Sequence, residues 1–237
     1  MNEILFFVSI VVSFLIIMAA YRIFGKTGLM IWIPVSTIIA NIEVIQTVKL
    51  FGMVATLGNV TYATSFLVTD ILSEIYGKRS ASQAVWIGFF SLIAMTILMN
   101  LALFFQPLAG DAFAEQTHQS LSNIFTIMPR IAFASLLAYL VSQHHDVWSF
   151  HFWKDKFPGK RWLWLRNNFS TIVSQLIDSV IFTFVAFYGI YEGQVLIEIL
   201  ITTYILKFLV ALADTPFVYW ATHMWENGKI RREIELE

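Results

Sequence analysis

Apolar runs of about twenty residues, separated by short polar breaks, recur along the whole of this sequence. A helix needs a run of about that length to cross the hydrocarbon of a bilayer, where no water satisfies a bare backbone. The pattern predicts seven such helices, at residues 4–21, 29–48, 51–76, 82–106, 121–143, 167–188 and 195–220. The first carries no charge between Ile4 and Tyr21. Glu3 stands where a signal peptide has basic residues, and Arg22 and Lys26 follow the run, so it reads as a retained helix. Pro107 and the Gly110-Asp111 pair stop the fourth run, and Pro129 with Arg130 interrupts the fifth. The expected fold is all-α, a polytopic membrane helix bundle in a single domain. It has a six-helix core (29–221), an extra N-terminal helix (1–28) and a cytoplasmic tail (222–237).

Basic residues orient such a bundle, because cytoplasmic loops carry an excess of Lys and Arg. Arg22, Lys26, Lys78, Arg79, Lys154, Lys156, Lys160, Arg161, Arg166, Lys229, Arg231 and Arg232 fall on one side when seven spans alternate. Lys49 is the one basic loop residue on the other side. The N-terminus is therefore expected outside and the C-terminus in the cytoplasm. Residues 144–166 read as the longest loop, with Trp148, Phe152, Trp153, Trp162 and Trp164 among its basic residues. Beside two membrane ends, that mixture reads as an interfacial anchor rather than a nucleic-acid surface.

Composition closes off other classes. Of 237 residues, 58% are hydrophobic and 13% charged, and mean hydropathy is +0.71. A soluble domain carries about a quarter charged residues, so this chain has too little polar surface for one. A net charge of −1 removes nucleic acid as an electrostatic partner. The absence of Cys removes disulfides and thiolate chemistry. His144, His145, Asp146 and His151 lack the spacing of a zinc motif, and no catalytic or nucleotide signature occurs. No metal, cofactor or enzymatic activity is expected. The Asn59-Val-Thr61 and Asn168-Phe-Ser170 sequons lie in or at membrane helices and read as chance.

The scarce polar residues inside the runs carry the information. An ionisable group at helix centre costs about 2.5–3.5 kcal/mol to insert, so it persists where a partner, water or substrate compensates it. Glu43, Asp70, Glu74, Arg130, Asp178, Lys207 and Asp214 are such groups. Asn168, Thr171, Gln175 and Asp178 recur at helical spacing and form one polar stripe. Asn41 and Gln46 flank Glu43; Tyr62, Phe66, Thr69 and Ser73 share a helix face, with Asp70 and Glu74 on a neighbouring one. Lys207 and Asp214 are two turns apart, so each should meet another helix.

Several segments, in order, resemble the queuosine precursor transporter family, also grouped as a vitamin uptake transporter family. The stretch Tyr62-Ala-Thr-Ser-Phe-Leu-Val-Thr-Asp-Ile-Leu-Ser-Glu-Ile-Tyr-Gly-Lys78 resembles its hallmark, with Asn41-Ile-Glu-Val upstream. The segment from Pro129-Arg130 to Tyr139 with Asp146, the segment Leu165-Arg-Asn-Asn-Phe-Ser170 with Gln175, Asp178 and Phe182, and the segment from Tyr204 through Lys207 to Pro216 follow the family's later helices. The resemblance covers about residues 41–220; the helix at 4–21 is additional to a six-helix core.

The resemblance implies uptake of 7-deazaguanine queuosine precursors, such as the 7-cyano or 7-aminomethyl base or queuine, through a bacterial inner membrane. The implied partners are that small molecule and the lipid bilayer, with a homodimer as a candidate assembly. A guanine-like edge offers an N1–H beside a 2-amino group, which a carboxylate accepts at two points. Asp178 or Asp70 is the candidate carboxylate. Asn168, Gln175, Asn41 or Arg130 is the candidate partner of the 6-oxo group, and Tyr62 or Phe182 the aromatic face. Glu43, Thr69 and Lys207 complete the candidate binding set, in a pocket near the bilayer midplane. Lys207, Asp214 or Glu43 is the candidate proton carrier. The competing reading is a substrate-capture subunit that borrows an ATP-driven partner.

Overall fold

The computed structural model describes residues 1–157 and 163–230; inside the helices, the side chains of 143, 144, 146, 147, 150, 151, 153–155, 163–171, 211, 212 and 215 lie outside that description. Among the described residues are eight α-helices and one β-hairpin. Helix α1 spans Asn2–Phe24 and α2 Lys26–Glu43; strands β1 (Thr47–Leu50) and β2 (Met53–Thr56) follow. Then come α3 (Gly58–Ile71), which runs on into a π turn at Leu72–Tyr76, and α4 (Lys78–Ala102). Helices α5 (Ala112–Phe125), α6 (Met128–Lys156), α7 (Leu163–Phe187) and α8 (Gly193–Glu226) complete the chain.

Apolar side chains cover both the inside and the outside of the bundle, the mark of a fold built for lipid. On α1, Phe6, Ile10, Phe14, Ile17 and Tyr21 are buried, while Leu5, Val8, Val12 and Leu15 are exposed on the outer face. Four stretches are long and apolar enough to cross a membrane among the described residues: Asn2–Phe24, Lys78–Ala102, Ala112–Ser142 and Gly193–Val210. Ile172–Phe187 is a shorter apolar helix. The protein is a helical multi-pass membrane protein. In such a protein helices associate by close packing of small residues, because lipid is as apolar as the side chains. Gly58 illustrates this: a Cβ there would stand 2.1 Å from the Ala40 carbonyl oxygen, so only glycine lets the start of α3 meet α2.

The chain departs from the expected all-helical path at 47–56. Helix α2 ends at Glu43 and the hairpin pairs Thr47 with Thr56 and Leu50 with Met53. Phe51 and Gly52, both at positive φ, make its turn, the primed geometry that matches strand twist. The expected helices at 29–48 and 51–76 are therefore each shortened. Thr47, Val48, Val54 and Thr56 are β-branched and favour strands. The segment is nevertheless apolar enough to blur into the helical runs on either side, which hides it from a periodicity argument. A second departure is the expected loop at 144–166: α6 continues to Lys156 and α7 starts at Leu163. No Gly or Pro interrupts the sequence before Pro158, so nothing stops the helix earlier. A third is α5, begun by Asp111, whose side chain accepts hydrogen bonds from the Phe113 and Ala114 amides.

Two ends of the bundle can be told apart. At one, the Lys26 ammonium lies 5.6 Å from the Tyr76 ring centre, and Tyr76 packs edge-on against Tyr21 and Trp225. The α1–α2 junction, the π turn and the end of α8 thus meet, with Arg22, Lys78, Arg79 and Lys229 next to them in sequence. At the other end, Asn2 donates to the Lys49 carbonyl and Glu3 accepts from the Phe51 amide. Glu198 accepts from the Val54 amide, and the Thr202 hydroxyl donates to the Val54 carbonyl, so α8 satisfies polar groups of the hairpin. The N-terminus, the hairpin and the start of α8 share this end.

Candidate solute-binding site

A narrow cavity, with about 30 Å³ of space open to water-sized molecules, lies inside the bundle between α2, α3, α6, α7 and α8. Asn41, Asn59, Tyr62, Ser135, Asp178, Phe182 and Lys207 line it, together with the small residues Ala40, Gly58 and Ala138. Small residues set its shape, because close helix approach leaves the space to the larger polar groups. Its position follows from helix rise: Asp178 lies about 14 Å along α7 from Phe187, and Lys207 about 21 Å along α8 from Gly193, at 1.5 Å per residue.

The charged centre is an ion pair. The Lys207 ammonium donates to the Asp178 carboxylate, both side chains being almost fully buried. Each charge makes the other tolerable at bilayer depth, where either alone would be strongly disfavoured. Among the described residues, the second Asp178 oxygen has only a long contact, 3.5 Å, from the Ser142 hydroxyl, which leaves it able to accept another donor. Lys207 also lies 5.1 Å from the Tyr62 ring centre, within range of a cation–π contact.

The amides are held in fixed orientations. Asn41 donates to the Thr37 carbonyl at 2.7 Å and accepts from the Ser135 hydroxyl at 3.0 Å. Asn59 donates to Thr56 at 2.9 Å and Thr203 at 2.8 Å, so both its hydrogens are used and its carbonyl oxygen remains an acceptor. Asn59 thereby joins the hairpin, α3 and α8 at the cavity wall. The site presents free acceptor positions, an ammonium beside one of them, and aromatic faces at Tyr62 and Phe182.

Of the candidate residues, Asn41, Tyr62, Asp178 and Lys207 come together at the cavity. Gln175 lies one turn from Asp178 on α7, and its side-chain carbonyl is buried without a hydrogen-bond partner among the described residues. Glu43 accepts from the Thr61 hydroxyl at 2.7 Å, at the end of α2. Thr69 donates to the Phe66 carbonyl of its own helix. Asp70 lies about 12 Å further along α3 than Tyr62, away from the cavity, and is exposed. Arg130 donates to the Val185 carbonyl at 2.8 Å and the Tyr188 carbonyl at 2.5 Å, carbonyls left without helical partners where α7 ends. The side chain of Asn168 lies outside the described residues, as does that of Asp146. Asn59, Ser135 and Ser142 were not expected at the site. Asn59 had a signal, an amide within an apolar run, whereas the serines had none that separates them from ordinary helix-packing residues.

A lipid-facing helical bundle with a buried ion pair and fixed amides around an internal cavity is an arrangement suited to a solute transporter. The chain belongs to the family described as "Putative vitamin uptake transporter", which matches residues 56–221. It is 45% identical to a "Probable queuosine precursor transporter" of Bacillus subtilis (strain 168), over 92% of this chain and 94% of that one. It is 26% identical to the "Queuosine precursor transporter" of Escherichia coli (strain K12), over 70% of this chain and 71% of the other. A "Probable queuosine precursor transporter" of Haemophilus influenzae is 28% identical over 58% of this chain and 54% of its own. No solved structure matches the chain.

Proposed function

We propose that this protein imports queuosine precursors across a bacterial inner membrane and binds the 7-deazaguanine base at the Asp178–Lys207 pair. The observation that carries the substrate class is the 45% identity to a relative of that name across 92% of the chain. The chemistry of the cavity supports it. A 7-deazaguanine presents a 6-oxo acceptor next to an N1–H donor. Lys207 and Asp178 offer a donor next to an acceptor, the complementary order. The open Asp178 oxygen takes the N1–H and 2-amino hydrogens, and Lys207 turns a second hydrogen to the 6-oxo group. The Asn59 carbonyl accepts from another ring N–H. Tyr62 and Phe182 cover the flat ring, which gains from aromatic contact. The ion pair stays formed throughout, so no charge is left unpaired in the bilayer. The basic end of the bundle faces the cytoplasm in this reading, with the N-terminus and hairpin outside.

The test is uptake into vesicles containing only the purified protein. Radiolabelled 7-cyano-7-deazaguanine, its 7-aminomethyl analogue and queuine are each supplied outside. Wild-type protein should take up at least one of them without ATP or a second protein, and Asp178→Asn should lose that uptake while staying folded in the membrane. Normal uptake and affinity in Asp178→Asn would remove the pair from the site.

A further inference from the structure

The cavity is too narrow for a flat base as it stands. Its 30 Å³ of open space holds about two water molecules, so a wall must move before any solute enters. The wall nearest the outside belongs to the β-hairpin. Val44, Gly58 and Asn59 line the cavity, and each stands within a few residues of an end of β1 or β2. The hairpin therefore joins α2 to α3 at the cavity's outer end.

A two-stranded hairpin is marginal by itself, so its neighbours hold it in place. Leu50 pairs with Met53 across a two-residue turn. The next pair, Lys49 with Val54, is then a non-hydrogen-bonded one, whose backbone groups point outward from the ladder. On β2 those groups meet α8. The Val54 amide donates to the Glu198 carboxylate at 3.0 Å, and the Val54 carbonyl accepts from the Thr202 hydroxyl at 2.9 Å. On β1 the Lys49 carbonyl accepts from Asn2 at 3.0 Å. At the tip, Phe51 lies edge-on to Phe6 and Phe7. One edge of the hairpin is thus fastened to α1 and the other to α8.

The α8 edge continues into the cavity wall. Asn59 donates one hydrogen to Thr56, the last residue of β2, and the other to Thr203, which follows Thr202 on α8. Parting β2 from α8 breaks one of these bonds and frees a donor at the cavity. The other contacts around the cavity leave less freedom. Gly58 meets Ala40 with no room for a methyl group, and Arg130 ties the start of α6 to the end of α7. Glu198 joins no ion pair among the described residues, and its second oxygen has a long contact, 3.5 Å, from Gln194. The bonds that fasten Val54 and Asn59 to α8 are ones that water replaces when the seam opens to the outside.

We propose that the hairpin is the outer gate of the cavity, with Glu198 and Thr202 as its latch: β2 parts from α8 to admit solute from outside. The form described here is the closed one. That the gate serves uptake of a base rests on the proposed function; the movement of the gate does not.

The experiment begins without solute and uses the chain's lack of cysteine. Ala138→Cys places one thiol at the cavity wall. Its rate of reaction with a small impermeant methanethiosulfonate is measured in right-side-out and in inside-out membrane vesicles. Adding Glu198→Ala/Thr202→Val should speed labelling from the hairpin side by about tenfold or more, as for loss of a charge-assisted hydrogen bond, and leave it unchanged from the basic side. Thermal unfolding in detergent verifies folding; if the double change prevents it, Thr202→Val alone decides, with a severalfold rise expected. Equal rates with and without the latch, or the same rise from both sides, would overturn the gate. Uptake of the base is then measured in Val54→Cys/Thr202→Cys. Bridging the two thiols with a short reducible bifunctional reagent should stop uptake, and reduction should restore it. Uptake unaffected by the bridge would overturn the gate. No base uptake even by wild type, with labelling still governed by the latch, would refute the substrate reading and leave the gate standing.

Discussion

Asp178 and Lys207 carry the chemistry only because they carry each other. Removing one partner of a buried ion pair leaves an uncompensated charge and costs about 3–5 kcal/mol. Asp178→Asn alone should therefore unfold at lower temperature in detergent than wild type, whereas Asp178→Asn/Lys207→Gln should recover most of that loss and still bind the base far more weakly than wild type. Recovery of binding in the double variant would place recognition elsewhere. Arg130 differs in kind, since its guanidinium finishes the end of α7 through the Val185 and Tyr188 carbonyls. Arg130→Gln should cost about 1–3 kcal/mol of stability, the value of lost charge-assisted hydrogen bonds, with the affinity for the base within a few fold of wild type. A tenfold loss of affinity at unchanged stability would instead put Arg130 in contact with the solute.

The helices meet through contacts that tolerate no added atom. Gly58→Ala would drive a methyl group into the Ala40 carbonyl and the Val44 amide, forcing α3 away from α2 at the cavity wall. Overpacking of this kind costs about 1–3 kcal/mol, so the variant should melt earlier in detergent and bind the base more weakly; unchanged melting would show that the two helices are not so closely joined. At this scale the sequence was informative about α1, α4, α7 and α8, whose apolar runs match their helices to within a few residues at most ends. It concealed the hairpin, because strands lined with Val, Leu and Met look like the continuation of a membrane helix. The site divides along the same line. Asp178 and Lys207 stood out because charge is scarce in apolar runs. Nothing in a linear sequence says that α7 and α8 bring the two together, or that Arg130 finds carbonyls 55 and 58 residues away.

For the whole molecule, the two ends make a claim about orientation. The chain has no cysteine, so single cysteines can be introduced without background. A cysteine at Phe51 or Asp111 should react with an impermeant maleimide added to intact cells, and one at Arg79 or Lys229 only after the membrane is opened. The reverse labelling would invert the topology. The claim that unites cavity, family and direction of transport is that the Asp178–Lys207 pair reads the base's hydrogen-bonding edge. Equilibrium binding to the purified protein tests it most directly, with 7-cyano-7-deazaguanine compared against its analogue lacking the 2-amino group, in wild type and in Asp178→Asn/Lys207→Gln. A hydrogen bond to a charged group is worth about 1.5–3 kcal/mol, so wild type should prefer the complete base by tenfold or more, and the double variant should not discriminate. Equal preference in both proteins would contradict the account.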